Sequence, residues 1–408
     1  MNEVNSVRTV KLGDVCEKIG SGITPRGGSS VYQDQGTALI RSQNVYNSEF
    51  TKNGLAFLSD EIAERMKGVA VHSRDVLLNI TGDSVARICL VPEDVLPARV
   101  NQHVAIIRPD QEKLWPEYLS HFLVSPFMQT TLLSWAGSGG TRKALTKTML
   151  ESFEIPLPEI EVQKRISDVL STYNHLIENN RRRIALLEDA ARLLYREWFV
   201  HFRFPGHEHV KVVDGVPEGW ATATLGEIAE TNPESYKAKE LPEELNYIDI
   251  SSVTVGTIQS KTPMNAGDAP GRARRIARDG DVIWSNVRPN LRAYSLVMNP
   301  EPIDVFSTGF TVLRAKKVPF SYLYCLVTTD AFVGHLVNHA TGAGYPAVRP
   351  DDFERAEVVL PASNLLDEYH EFALPIFRQK EKLMAQSREL AKARDLLLPR
   401  LMDGRIEV

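Results

Sequence analysis

The amino-acid sequence predicts an α+β protein with two mixed α/β domains, each followed by a long helix of coiled-coil type. Three observations lead to this prediction. Short β-type runs alternate with turn-rich loops in each half of the chain. A long apolar seam of helical period follows the first half, and short motifs recur roughly 200 positions apart. We therefore expect an internal repeat with pseudo-two-fold character.

The composition is that of an ordinary globular chain. Among 408 residues, 43% are hydrophobic and 24% are charged, and the net charge is −5. Because the chain is acidic overall, any nucleic-acid binding must depend on local basic patches. Cys16, Cys89 and Cys325 lie far apart without metal-ligand spacing, which indicates buried thiols in a reducing compartment. We find no signal peptide and no long apolar run, so we expect a cytoplasmic protein without a membrane span.

The first predicted domain covers residues 1–158. Its β-type runs lie at 38–40, 75–80 and 104–107, and a helical stretch follows at about 116–135. A glycine-rich loop at 137–143 and a strand-like segment at 153–158 complete the domain.

The first long helix is predicted over residues 159–203. Apolar residues recur at alternating steps of four and three from Ile166 to Trp198, and Asn180 is the polar member of this seam. No Pro or Gly interrupts residues 161–198, so at ~1.5 Å per residue the helix would extend about 57 Å. A seam of this kind needs a second helix to pack against.

The second half of the chain repeats this order. A second domain is predicted over residues 204–361 and a second long helix over 362–408, in which Leu383, Leu390 and Leu397 recur every seven residues. The Leu-Gly-acid motif at 12–14 returns at 225–227, and the Asp that precedes an apolar run at position 75 returns at 281. Pro375 is expected to kink the second helix or delay its start, and Pro399 to end it within a turn.

Apolar residues outside the seam favour the binding of further helices from a partner. The alternative is a pair of long helices that packs only on itself. The candidate docking residues are Leu170, Leu176, Ile177, Leu186, Leu193, Trp198, Leu383, Leu390 and Leu397.

We find no arrangement of residues typical of catalysis. Segment 137–143 lacks the Gly-Lys-Ser/Thr of a Walker A loop, and the Asn-Pro pairs at 232 and 299 do not form a methyltransferase tetrad. His207 and His209 fit a solvated turn better than a metal pair, and Asp351-Asp352 fit caps of a short helix. We therefore predict no catalytic, cofactor-binding or metal site.

Polar and basic loops provide candidate polyanion-binding residues. Arginines cluster at 272–278 and 288–292, and Arg and Asn side chains can bind both base edges and phosphates. In the first half of the chain, the loop at 79–87 corresponds to the stretch around 284–292, and the glycine-rich loop at 137–143 corresponds to 341–345. The alternatives are a solvated charged face and plain turn chemistry. The candidates are Ser21, Thr24, Arg26, Asn79, Thr81, Arg87, Ser138, Thr141, Arg142, Lys143, Arg272, Arg274, Arg275, Asn286, Arg288, Asn290, Arg292, Thr341 and Tyr345.

Several motifs resemble one family over essentially the whole chain. These are Glu-Trp-Phe at 197–199 with Phe-Arg-Phe-Pro-Gly at 202–206, Val-Asp-Gly-Val-Pro-Glu-Gly-Trp at 213–220, and the ending Leu-Leu-Leu-Pro-Arg-Leu-Met-Asp-Gly-Arg-Ile at 396–406. The sequence resembles the specificity subunit of type I restriction-modification enzymes. It departs from the family pattern at Pro375 and at Leu365-Leu366-Asp367, where the first copy has Glu161-Val162-Gln163.

The resemblance implies a non-catalytic reader of double-stranded DNA. Its two target recognition domains would each bind one half of a split, asymmetric target, and two antiparallel long helices would hold those domains apart. Two modification (methyltransferase) subunits, which carry the S-adenosylmethionine, would dock on the helices, and restriction subunits would join them. No cofactor is expected in this chain itself.

Two other functions fit the sequence. One is a helical adaptor without DNA specificity, which would bind random DNA no better than none in the presence of its partner. The other is an enzyme with an unrecognised active site, which turnover by the isolated protein would reveal.

Overall fold

The computed structural model of the protein describes residues 7–137, 143–213 and 215–408. The chain divides into two compact units. The first unit comprises residues 1–179 and 387–408, and the second comprises residues 180–386. Each unit encloses hydrophobic clusters of its own. The division falls within the two long helices, so each unit includes part of both.

The first unit begins with a series of short strands. They are β1 (Thr9–Lys11), β2 (Cys16–Ser21), β3 (Thr37–Ile40), β4 (Val45–Tyr46), β5 (Glu49–Phe50), β6 (Ala56–Leu58), β7 (Ala70–Val71), β8 (Val76–Asn79), β9 (Ile88–Leu90), β10 (Ala98–Val100), β11 (Val104–Pro109) and β12 (Glu154–Pro156). The predicted β-type runs coincide with β3, β8 and β11, whose continuous apolar sequences reflect burial on both faces.

The helices that begin in the first unit are α1 (Asp60–Arg65), α2 (Pro116–Val124), α3 (Pro126–Gly137), α4 (Lys147–Glu151) and the long α5 (Ile160–Tyr195). The helical stretch predicted at 116–135 is thus two helices. The break falls at Ser125, which has an extended conformation because the ring of Pro126 disfavours the helical one.

The second unit repeats this series of elements. Its strands are β13 (Val212–Val213), β14 (Val216–Pro217), β15 (Ala221–Thr224), β16 (Ala229–Thr231), β17 (Glu244–Ile248), β18 (Val253–Thr254), β19 (Thr257–Ile258), β20 (Thr262–Asn265), β21 (Ala273–Arg275), β22 (Val282–Ser285), β23 (Tyr294–Leu296), β24 (Asp304–Ser307), β25 (Phe310–Ala315) and β26 (Glu357–Leu360). The helices that follow α5 are α6 (Leu225–Ile228), α7 (Phe320–Val327), α8 (Asp330–His339), α9 (Pro350–Glu354) and the long α10 (Ser363–Met402).

The sheets of the two units have matching strand orders. The first unit contains sheets ordered β6-β3-β10-β7 and β2-β11-β8-β9, and the second contains β20-β17-β24-β21 and β16-β25-β22-β23. In each unit one pair is parallel, β3 with β10 and β17 with β24. The domain ends also pair antiparallel, β1 with β12 and β15 with β26. The predicted α+β fold with an internal repeat is therefore confirmed.

Both predicted long helices are present. Helix α5 continues into a π-helical turn at Arg196–Val200, and α10 ends at Met402, within a turn of Pro399. The expectation that Pro375 delays the second helix is wrong, because α10 begins at Ser363. Tyr369 and Phe377 are buried on either side of the proline, and this packing outweighs the hydrogen bond that Pro375 cannot donate.

Within the described residues, no single helix is long and apolar enough to cross a membrane. Helices α7 and α8 reach that length and apolarity only when taken together, and they are bent by 60° at the break between them. Most residues of α7 are buried in the core of the second unit.

Candidate nucleic-acid interface

A buried ion pair fixes the strands that lead to the candidate loops in each unit. Arg108 on β11 donates two hydrogen bonds of 2.7 Å to Asp75, which directly precedes β8. Arg314 on β25 binds Asp281, directly before β22, through bonds of 2.9 and 2.7 Å. The hydrogen bonds to Asp281 and Glu234 raise the pKa of Arg314 above its ordinary value, despite its partial burial.

In the first unit, the loop after β8 runs beside the end of the glycine-rich segment. Thr81 pairs with Ala144 as an isolated antiparallel bridge. The amide of Gly82 donates to the Lys143 carbonyl at 3.3 Å, and the amide of Leu145 donates to the Ile80 carbonyl at 2.8 Å. The main chain thus brings together two loops that are far apart in the sequence.

These loops border an open cleft of about 990 Å³, which we call cleft 1. The Arg87 guanidinium lies over the Tyr46 ring, 4.5 Å from its centroid, so an aromatic face orients one cation at the cleft. The side chain of Lys143 is exposed. The residues that line cleft 1 are Ser42, Gln43, Tyr46, Thr81, Gly82, Asp83, Ser84, Arg87, His103, Lys143 and Ala144.

A chain of hydrogen bonds joins three loops at the edge of cleft 1. The Thr24 hydroxyl donates to Oε1 of Gln102, and Nε2 of Gln102 lies 3.3 Å from Nε2 of His103. Nδ1 of His103 lies 2.6 Å from the Thr81 hydroxyl. Two predicted residues, Thr24 and Thr81, are therefore connected through two residues that the sequence analysis did not select.

The second unit pairs its loops in the same manner. The amide of Arg288 donates to the Pro346 carbonyl at 2.7 Å, and the amide of Val348 donates to the Asn286 carbonyl at 2.9 Å. We call the segments 286–292 and 341–348 loop pair 2. Its exposed Arg288 lies over the ring of Tyr345 at 4.5 Å and donates to the Gly344 carbonyl at 3.3 Å. Tyr345 is itself 72% exposed.

Two arginines of loop pair 2 adopt an unusual backbone conformation. Arg288 and Arg292 both have positive φ, 51° and 54°, on either side of the turn at Pro289–Leu291. Non-glycine residues in this region carry conformational strain, which proteins often retain at functional sites. Asn290 and Leu291 are exposed at the turn, whereas Arg292 is paired with Asp330 at 2.5 Å.

The arginine cluster at 272–278 is largely engaged within the unit. Arg272 binds the Tyr247 hydroxyl and lies 3.6 Å from Asp249, and Arg274 donates to the carbonyl of its neighbour Ala273. Arg275 donates to Ser235, and partial burial lowers its pKa. Arg278 is paired with Glu234 at 2.7 Å. These internal contacts leave Arg272 and Arg278 exposed, with 57% and 66% of their side chains accessible, and the assignment of the cluster to DNA binding stays a prediction.

Two asparagines predicted to bind DNA have structural partners instead. Asn79 is fully buried and donates to the carbonyls of Ser42 and Val45, so it has no surface to offer. Asn286 is half-buried, and its Oδ1 accepts a 2.7 Å hydrogen bond from Thr311. The burial of Asn79 therefore corrects its assignment as a DNA contact, because the sequence shows a polar residue at a strand end but not its partners. The assignment of Asn286 stays a prediction.

The remaining DNA-binding candidates stay predictions. Ser21, Arg26 and Thr341 are exposed. Ser138, Thr141 and Arg142 lie outside the described residues. Gln102, His103 and Tyr46 were missed, although the polar run Asn-Gln-His between two apolar runs at 101–103 was a usable signal.

The candidate docking residues differ in their exposure. Leu176, Leu186 and Leu193 are 46%, 68% and 49% exposed and can offer apolar surface. Leu170, Trp198 and Leu383 are buried in the chain itself, so their assignment as docking residues is corrected. The half-buried candidates are Ile177, Leu390 and Leu397.

Comparisons with known proteins agree on one family. Residues 5–189 match the model of the type I restriction modification DNA specificity domain. The chain is 25% identical over 329 residues to the type I restriction enzyme MjaIX specificity subunit of Methanocaldococcus jannaschii. This match covers 76% of this chain and 74% of that subunit. It is 20% identical over 431 residues to the HindI specificity subunit of Haemophilus influenzae, with coverage of 90% and 94%.

A solved structure supports the fold. The crystal structure of a type I restriction-modification S subunit from M. genitalium matches with a TM-score of 0.58 and 14% identity, over 98% of each chain. At this identity, the likeness concerns the fold alone.

Proposed function

Because this chain is similar to the specificity subunits of type I restriction-modification systems, we propose that it selects the DNA sequence on which such a system acts. Each unit would read one half of a split target in double-stranded DNA. The chain itself would be non-catalytic. The methyltransferase and endonuclease activities would then reside in other subunits.

One observation carries the DNA-binding proposal. Both units bring a strand-end loop against a second loop and display an arginine on a tyrosine ring, Arg87 on Tyr46 and Arg288 on Tyr345. A guanidinium held on an aromatic face remains charged and keeps its donors for phosphates or guanine edges. The adaptor alternative gives no reason for matched basic loops in both units.

We further propose that two modification subunits dock on the exposed apolar residues of α5, and that restriction subunits join the assembly. S-adenosylmethionine would be held by the modification subunits rather than by this chain. An assembly that acts on chromosomal DNA would work in the cytoplasm. The exposed Leu186 and Leu193, which lie outside the buried seam, support the docking surface.

Mapping of methylated adenines in cells with and without this gene tests the proposal. We expect a split motif, two short half-sites around a fixed gap, to disappear when the gene is deleted. Replacing residues 7–156 with those of a homologue should then change one half-site only. If every methylated motif survives deletion while the modification subunits are active, the proposed function is wrong.

A further inference from the structure

Gln102 at the edge of cleft 1 is held in place by neighbouring side chains before any ligand binds. Its amide NH2 group can only donate, so Nε2 of His103 accepts the bond between them. The imidazole proton is then on Nδ1, from which it is donated to Thr81. Since Thr24 donates to Oε1, each of the two polar atoms of the amide has one partner.

The side-chain amide of Gln102 can still accept one hydrogen bond and donate one. A carboxamide oxygen accepts two hydrogen bonds and its nitrogen donates two, so Oε1 of Gln102 has one free lone pair and Nε2 one free hydrogen beyond these contacts. Gln102 is exposed, so both can face a ligand. An adjacent acceptor and donor match the N6 and N7 groups of adenine in the major groove, whereas guanine offers two acceptors there.

The main chain around Gln102 fixes this arrangement. The amide of Gly22 donates to the Val104 carbonyl at 3.0 Å, and that of Ile23 to the Val100 carbonyl at 3.2 Å. A Cβ atom at position 22 would lie 1.9 Å from the Val100 carbonyl oxygen, so only glycine permits the approach that brings Thr24 to Gln102. A side chain ordered in advance loses less conformational entropy when it binds.

The second unit does not repeat this feature. Thr308 and Gly309 precede β25 where Gln102 and His103 precede β11. Neither residue has an amide or imidazole side chain, so the described part of the second unit lacks a counterpart of the pair at this place. Any base preference that depends on Gln102 therefore belongs to the half-site of the first unit alone.

We propose that Gln102 is a specificity-determining residue that reads one adenine in the half-site bound by the first unit. Thr24 and His103 act as positioning residues for its amide. This inference rests on the proposed DNA-binding function and names the base that one part of that site recognises. Arg87 and Lys143, on the other loops of cleft 1, would contribute phosphate contacts that do not depend on sequence.

The test uses the assembled complex and a panel of duplexes that carry each base at each position of both half-sites. Gln102→Ala should lower the discrimination for adenine at one position by roughly 10-fold to 100-fold and leave the other half-site unchanged. Gln102→Glu should change the preference there from adenine to cytosine, because a carboxylate accepts from cytosine N4 and repels adenine N7. Gln111→Ala is the matched control, since Gln111 is an exposed glutamine beyond the other end of β11.

A positioning role is tested separately. His103→Ala should weaken binding of the target while adenine stays preferred, and His103→Gln, which keeps an acceptor, should restore part of the affinity. The inference is overturned if Gln102→Ala keeps full adenine discrimination at every position, or loses the same affinity for all duplexes. A wild-type complex without preference for any split target would instead refute the proposed function itself.

Discussion

Arg108 binds the Asp75 carboxylate through two parallel hydrogen bonds, and Arg314 repeats this contact with Asp281. Asp75 is fully buried, and 15% of the Arg108 side chain is exposed. The pair ties the start of β8 to the far end of β11, and the opposite ends of these strands carry the Thr81 and His103 loops. The recurring Asp at 75 and 281 therefore reflects a structural requirement of the two units.

We expect Arg108→Met to lower the free energy of unfolding of the first unit by about 3–5 kcal/mol, because it leaves the Asp75 carboxylate buried without its ion-pair partner. Adding Asp75→Leu should recover much of this loss, since the unpaired charge is then gone. Urea titration of the purified chain measures both effects. Arg65→Met, which removes an exposed pair with Glu61, should change stability by less than ~1 kcal/mol. Equal losses for Arg65→Met and Arg108→Met would contradict the argument.

We expect His121 to make the stability of the first unit sensitive to acid. Burial, assisted by the charge of Arg394, lowers the pKa of His121 from 6.5 to about 4. Between these values the unfolded chain binds a proton that the folded chain does not, so stability falls as pH decreases from about 6.5 to 4. A shift of this size corresponds to roughly 3 kcal/mol. Denaturant titrations at pH 7 and pH 4.5 measure this loss.

His121→Gln should reduce the slope of stability against pH in that interval, because glutamine can still bond to Ser171 but does not titrate. His209→Gln serves as the control, since 84% of the His209 side chain is exposed. If His121→Gln and the parent chain lose stability equally between pH 7 and pH 4.5, His121 is not responsible for the acid sensitivity.

The helices and the repeat could be predicted because they depend on periodicity, which is local and visible in sequence. The seam from Ile166 to Trp198 predicts nearly all of α5, which extends over Ile160–Tyr195. The start of α10 upstream of Pro375 could not be predicted, because the buried packing of Tyr369 and Phe377 around the proline is a tertiary effect. The break at Ser125-Pro126, by contrast, follows from the sequence itself, because a proline disfavours the helical conformation of the residue before it.

The candidate site was predicted less completely, because hydrogen-bond partners come from distant parts of the chain. Arg87, Arg288 and Tyr345 lie in the expected loops, but the contact of Arg288 with Tyr345 and the whole contribution of Tyr46 depend on segments tens of residues apart. Asn79 has the residue type of a DNA contact, but its burial and its hydrogen bond to the Ser42 carbonyl are tertiary features that the sequence does not show. Residue type and approximate position were thus accessible from sequence, whereas exposure and pairing were not.

Arg288 is expected to contact a DNA phosphate. Arg288→Ala in the assembled complex should weaken binding to cognate and random duplexes alike, and should make the slope of log K against log salt shallower by about 0.9. Binding isotherms at several salt concentrations give this slope. Arg292→Ala should have a smaller effect, since Arg292 is already paired with Asp330.

Arg278→Ala is the matched control for Arg288, because Arg278 is also exposed but is paired with Glu234 at 2.7 Å. The salt slope should be unchanged in that variant. An equal change of slope in the Arg278 and Arg288 variants would show that overall charge, rather than loop pair 2, governs the salt dependence.

Leu186 tests the docking surface on α5. It is 68% exposed and lies outside the buried seam, so Leu186→Glu should leave the free energy of unfolding nearly unchanged. If a modification subunit covers this residue, the substitution removes roughly 2 kcal/mol of apolar burial and adds a charge, which weakens assembly by more than ~10-fold. Titration of the chain with purified modification subunit, followed by size-exclusion chromatography with light scattering, measures the affinity and the stoichiometry.

Val212→Glu, at a 60% exposed position in the hairpin of β13 and β14, is the control. Assembly that tolerates Leu186→Glu as well as it tolerates Val212→Glu would place the docking surface elsewhere.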